Sequence, residues 1–301
     1  MLVMLCSIGA WAQKKIVVFS DPHVMAPELL VSGGTAWNNY LEGQHKMVDH
    51  SKQLFDETIE KLKTDKPDLV LITGDLTKDG ERLSHEYVIG KLKELRTLGI
   101  KVLVIPGNHD RGANSNAVSY DGDNTSPVEV VDNYWFATNY DNYGYGYGSE
   151  REETTLTYAC EPIDGLVVIG IDSGTNGEVS STTLNWITTK ANAAKASGKR
   201  VIAMMHHPLI PHFTGVDTFV ETAVVLKYET VRNTLADAGI KVVFTGHFHT
   251  SDIAKDWNGD KSKEIYDVNT GSLISYPCDY REVTLTNDLS EMSITGTCFS
   301  F

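Results

Sequence analysis

Val102-Leu103-Val104-Ile105-Pro106-Gly107-Asn108-His109-Asp110 passes from a β-branched strand run straight into four chemically capable positions. The same arrangement recurs along the chain. Lys15-Ile16-Val17-Val18-Phe19 leads to Asp21-Pro22-His23, and Asp68 to Ile72 leads to Gly74-Asp75. Val201 to Met205 leads to His206-His207-Pro208, and Val242 to Phe244 leads to Gly246-His247-Phe248-His249. Leu166 to Ile171 reads as a further buried strand. Between these runs, Leu54, Phe55, Ile59 and Leu62 fall at helical spacing, as do Val88, Leu92 and Leu95. Ser181 to Ala196 and Thr218 to Ala238 supply two more helical patterns. Strand–helix alternation predicts βαβ units and an α/β fold. In the tail, Glu264 to Val268, Arg281 to Leu285 and Met292 to Thr295 read as strands joined by turns, hence as antiparallel additions. No internal repeat or Pro- or Ser-rich linker divides the chain, so residues 13–301 are expected to form one domain.

The chemistry follows from where those strands end. Ligands of open α/β sheets bind beyond the carboxyl ends of the strands. Five strand ends meeting there would bring Asp21, Asp75, Asn108 and several histidines together. Carboxylate, amide oxygen and imidazole in one shell suit Zn, Mn or Fe, whereas Ca prefers oxygen alone. An isolated Asp-x-His, Gly-Asp or His-x-His is ordinary loop composition. Their ordered occurrence, each just past a separate apolar strand, is not.

That ordered set resembles the calcineurin-like metallophosphoesterase superfamily. The family pattern D-x-H, GD, GNH[DE], H and GHxH stands unaltered between roughly Ile16 and His249. The resemblance implies a four-layer α/β/β/α sandwich of two mixed β-sheets flanked by helices. It also implies two divalent metal ions, Mn, Zn or Fe. One would be held by Asp21, His23 and His249, the other by Asn108, His206 and His247, with Asp75 bridging both. His206 is taken over His207 because the family's ligand lies two residues before the proline, here Pro208. His109 matches the family's catalytic non-ligand histidine, and Asp110 the acid beside it. The implied reaction is hydrolysis of a small phosphate ester, with phosphodiesters favoured, by a hydroxide bridging two metals. A phosphomonoesterase or nucleotidase on the same site, or a metal-bound binding protein without turnover, are the alternatives. Lys78 stands where purple acid phosphatases carry an iron-binding tyrosine, so no tyrosinate–iron site is expected.

Charge and composition narrow the partners. Lys plus Arg number 26 against 40 Asp plus Glu, a formal charge of −14. Such a surface repels polyphosphate, which excludes a nucleic-acid polymer as the expected partner. Apolar residues at 41% fit an ordinary globular core, and no apolar run is long enough to cross a bilayer. Met1 to Ala12 are uncharged, and Ala10-Trp11-Ala12 has the small-x-small pattern of a secretory cleavage site. A signal peptide over residues 1–12 and a secreted or periplasmic protein are therefore expected; uncleaved, the chain would be cytoplasmic. Removal of that segment leaves Cys160, Cys278 and Cys298, enough for at most one internal disulfide. Composition does not speak to oligomeric state.

Substrate recognition falls to the remaining segments. Arg111 to Tyr158 is a long connection rich in Asn, Gly and Tyr. Its tyrosines either stack on a substrate or pack as a flap. His207 and His212, on the loop after His206, are candidates for substrate contact, His207 equally for supporting a ligand. Arg281 is a candidate phosphate partner.

Overall fold

The computed structural model describes residues 13–112, 116–146, 148–216 and 223–298. The signal-peptide reading of residues 1–12 lies outside them, as do Tyr147 and the segment 217–222.

Strand Lys14–Phe19 is the third of five in the first sheet. It runs parallel to Leu69–Ile72, which runs parallel to Lys101–Val104. On its other side Asp279–Leu285 and then Met292–Cys298 add antiparallel. The second sheet is built on four parallel strands, Leu166–Ile171, Arg200–Met205, Val242–Thr245 and Glu264–Asn269. Antiparallel edges close it, with Tyr158–Ile163 and Glu150–Arg151 on one side and Asp252–Trp257 on the other. The tail strand at Glu264 is therefore parallel to its inner neighbour, not antiparallel as expected. The chain reverses twice between them, down the unforeseen strand Asp252–Trp257 and back through the turn after it, and two reversals restore the direction.

Side-chain alternation makes the layers. In the second sheet, Val168, Ile202, Met204, Val242 and Phe244 join the cluster shared with the first sheet. Their neighbours Val167, Ile169, Val201, Ala203 and Val243 face the helices Ser181–Ala196 and Tyr228–Asp237. Helices Ser51–Asp65 and Arg82–Thr97 pack Phe55, Ile59, Leu62, Val88, Leu92 and Leu95 on the first sheet. The result is the four-layer α/β/β/α sandwich. Ile16 to Phe19 and Leu69 to Ile72 are buried on both faces, which accounts for their unbroken apolar runs. The last helix is Tyr228–Asp237, entered from Lys227 in a left-handed conformation; the start of the expected helical stretch, at Thr218, lies outside the described residues.

The connection Arg111 to Tyr158 is a packed flap. Val118–Asp121 and Asn124–Pro127 form a small sheet with Leu30–Ser32, and Asp132 caps helix Asn133–Asn139 by accepting from Trp135 N. Tyr140, Tyr143 and Tyr145 are buried in the core shared with the strands. Tyr140 stacks on Phe136 at 4.4 Å, and Tyr145 meets Tyr158 edge-on at 4.9 Å. These three tyrosines hold the flap down and offer no stacking surface to a ligand. Cys160, Cys278 and Cys298 are free thiols.

Candidate metal centre

Five parallel strand ends deliver the candidate ligands to one place, across the top of both sheets. The backbone there is bent in an uncommon way. Asp21, His23, Asp75, His247 and His249 all have φ between 39° and 72°. Non-glycine residues seldom adopt this left-handed region, and each costs about 1 kcal/mol or more. Five such residues among seven candidate ligands mark a site over-determined by its surroundings. The motif glycines are close-approach positions. A methyl on Gly107 would lie 2.1 Å from Asp75 Oδ1, and one on Gly246 would lie 2.6 Å from Asp21 Oδ2.

Two clusters form, and Asp75 belongs to both. Donor atoms of Asp21, His23, Asp75 and His249 lie within 4.8 Å of one another, as do those of Asp75, His206 and His247. Asp75 Oδ2 is 3.6 Å from His23 Nε2 and 3.3 Å from His206 Nε2. Its other oxygen accepts from His109 N at 2.8 Å, which fixes the carboxylate plane. Asn108 Oδ1 completes the second cluster, 3.0 Å from both His206 Nε2 and His247 Nδ1. Asp21 Oδ2 accepts from His247 N, while its Oδ1 is buried without a hydrogen-bond partner. Such an orphaned oxygen, 3.3 Å from His249 Nε2, fits a metal ligand. The donor set fits a pair of Zn, Mn or Fe ions.

The electrostatics agree with that use. Burial alone would raise the Asp75 carboxyl, but His206, His109 and His23 outweigh it and hold it well below the usual range. Burial pushes His23 well below 6.5, with Lys46 adding to the effect, and His247 to about 4. Both are neutral donors near pH 7. His206 opposes its own burial through Asp75 and Asp21 and rises to about 9, so a metal there would displace its proton. Its Nδ1 donates to the Thr73 carbonyl at 2.8 Å, which leaves Nε2 toward Asp75.

Beside the clusters stands His109. Its ring meets His23 edge-on at 5.0 Å, and Nδ1 lies 2.9 Å from both Lys78 O and Asp79 Oδ1. Burial would lower this imidazole, but Asp75 and Asp79 outweigh it and raise it above its ordinary value. The acid partner of His109 is thus Asp79, and the assignment of Asp110 as a catalytic acid is corrected. Asp110 is fully buried and its carboxylate accepts from Leu76 N, Thr77 N, Thr77 Oγ1 and Gly107 N. It ties the loop after Ile72 to the loop after Val104. Sequence reasoning also missed Lys46, whose amine lies 3.1 Å from His23 Nε2. Asp79 carries a faint signal, one turn of chain past Asp75; Lys46 carries none.

Two of the proposed substrate contacts are spent elsewhere. Arg281 is buried and donates to the carbonyls of Asn269 and Asp252, so its charge faces backbone and not the cleft. His212 is clamped between Asp252 at 2.8 Å and Asp267 at 3.1 Å. His207 packs 4.5 Å from the His247 ring and bonds Ser173 Oγ through Nδ1, the position of a supporting residue. Lys78 points away from the clusters into an ion-pair network with Asp79 and Glu81, beneath the Tyr40 ring.

The calcineurin-like phosphoesterase family profile matches residues 14–251. The chain belongs to this family. It is 29% identical over 199 residues to a protein named "Probable glycerophosphodiester phosphodiesterase" from Arcobacter nitrofigilis, across 64% of this chain and 56% of that protein. It is 23% identical over 203 residues to a "cAMP/cGMP dual specificity phosphodiesterase" from Mycobacterium tuberculosis, across 65% of this chain and 53% of that protein. The chain thus spans about half the length of these curated relatives. A dimetal phosphatase from Danio rerio shares the fold with a TM-score of 0.59, at 13% identity and over 95% of this chain and 99% of that one. So does a purple acid phosphatase from yellow lupin, with a TM-score of 0.56 at 10% identity, over 95% of this chain and 52% of the lupin chain.

Proposed function

We propose that this phosphoesterase hydrolyses a small phosphodiester at two divalent ions held by Asp21, His23 and His249 on one side and Asn108, His206 and His247 on the other, bridged by Asp75. The observation that carries the reading is Asp75 Oδ2, within 3.6 Å of an imidazole of each cluster. Two bound ions supply Lewis acidity and a hydroxide near neutral pH. The preference for diesters is supported by the names of both curated relatives, each a phosphodiesterase.

The rest of the work belongs to the chain. Asp75 is kept ionised by its imidazole neighbours. Asp79 and the Lys78 carbonyl hold His109 by Nδ1, so Nε2 stays outside those bonds. A protonated His109 can then donate from Nε2 to the departing alkoxide, or to a phosphoryl oxygen. The test is a hydrolysis panel with Mn, Zn and Fe: bis-aryl and aryl phosphates, cyclic nucleotides, nucleotides and glycerophosphodiesters. Diester kcat/KM above monoester kcat/KM is the expected result; the reverse order overturns the diesterase reading.

A further inference from the structure

Lys46 sits on the loop between helix Thr35–Glu42 and the turn Val48–His50. That loop is docked firmly: Met47 N donates to Ile274 O at 2.8 Å, and Val48 and Ile274 are buried in one cluster. The fixed backbone carries the Lys46 amine onto His23, 3.2 Å from Nδ1 and 3.1 Å from Nε2. The His23 ring is itself fully buried. Among the described residues, no carboxylate lies within ion-pair distance of this amine; Asp75, Asp21 and Asp79 act on it only from further off. A half-buried ammonium without a counter-ion is costly. Its cost grows once His23, Asp21 and Asp75 are committed to divalent cations, because Lys46 then faces positive charge. One kind of group relieves that strain: an anion lying over the two cations. His109 borders the same His23 ring, and Lys46 and His109 are near enough to repel each other. Their shared neighbourhood is where a phosphoryl group would sit between two cationic donors.

We propose that Lys46 is a substrate-binding residue that donates a charge-assisted hydrogen bond to a phosphoryl oxygen bound at the dinuclear centre. This rests on reading that centre as the site of phosphoester hydrolysis, but not on the preference for diesters. Lys46 adds a fixed positive charge beyond the two metals, at the end of the site formed by Asp21, His23 and His249.

The test uses the full chain loaded with Mn, in the variants Lys46→Met and Lys46→Arg. Bound metal is measured by elemental analysis, inorganic-phosphate affinity by calorimetry, and KM and kcat on a bis-aryl and an aryl phosphate. Lys46→Met should keep the native metal content, while the phosphate Kd and both KM values rise roughly ten- to a hundredfold. kcat should change less, and Lys46→Arg should recover part of the affinity. Native phosphate affinity in metal-replete Lys46→Met overturns the proposal. So does tighter metal binding with unchanged phosphate affinity, which would make Lys46 a guard of the His23 position. If Lys46→Met does not fold, Lys46→Gln and Lys46→Arg carry the same comparison. Because inorganic phosphate is the probe, a chain that hydrolyses only monoesters would refute the diesterase reading and leave this one intact.

Discussion

The two ligand clusters share Asp75 and are otherwise built differently. The side of Asp21, His23 and His249 has a second carboxylate of its own and three left-handed backbone positions, and the Lys46 ammonium touches it. The side of His206 and His247 has the neutral Asn108 amide in place of a second carboxylate and is backed by His207. A carboxylate in direct contact with an ion outweighs an ammonium one shell further out, since Coulomb energy falls with distance. The first position should therefore hold its metal more tightly, and the second should be the one that exchanges.

Removing the shared member gives the largest effect. Asp75→Asn should lower metal content at both positions and abolish measurable turnover, since each cation loses the same charge. Two tightly held metals with native hydrolysis would take Asp75 out of the bridge. Next comes His109→Ala, which removes a proton donor but no ligand. Metal stoichiometry should stay native while kcat falls by roughly 10²–10⁴. The loss should be smaller for a p-nitrophenolate leaving group than for an alkyl alcohol; loss of metal alongside rate would make His109 a brace instead. Asn108→Ala sharpens the comparison directly. Elemental analysis should find about one metal per chain, retained at the Asp21 side, and retention of both would deny the asymmetry.

The smallest effect serves as a control away from both clusters. Burial would lower His212, but Asp267 and Asp252 outweigh it and raise it. A raised folded pKa stabilises below the unfolded value near 6.5, and that stability is lost as pH climbs through the folded value. His212→Gln should therefore cost about 1 kcal/mol in acid and less in alkali. Denaturant midpoints at pH 5.5 and pH 9 measure it, with kcat/KM left near native. A change in kcat/KM would return His212 to the cleft.

Much of this molecule is legible in its residues because the deciding signals are local. Strand Leu166–Ile171 and helix Ser181–Ala196 appear with the bounds their apolar patterns suggest. The seven candidate ligands can be named because metal donors are few in type and each stands just beyond a strand. Second-layer roles were less readable. Asp110 adjoins His109 in sequence, yet Asp79 bonds the imidazole while Asp110 satisfies backbone amides of two loops. Arg281 was open to the reading of a phosphate partner until the carbonyls of Asn269 and Asp252 claimed it.

What the chain's order of residues determines, then, is which elements form and which donors lie at their ends, since periodicity and residue chemistry act over a few positions. Tertiary structure alone decides where each side chain points and who meets it. A left-handed turn at Asp21 or His247 re-aims a ligand, two chain reversals turn Glu264–Asn269 parallel, and docking of Met47 on Ile274 carries Lys46 to His23. These contacts join residues far apart in the chain, and their partners are chosen by burial and hydrogen-bond satisfaction in the folded state, which no local pattern encodes.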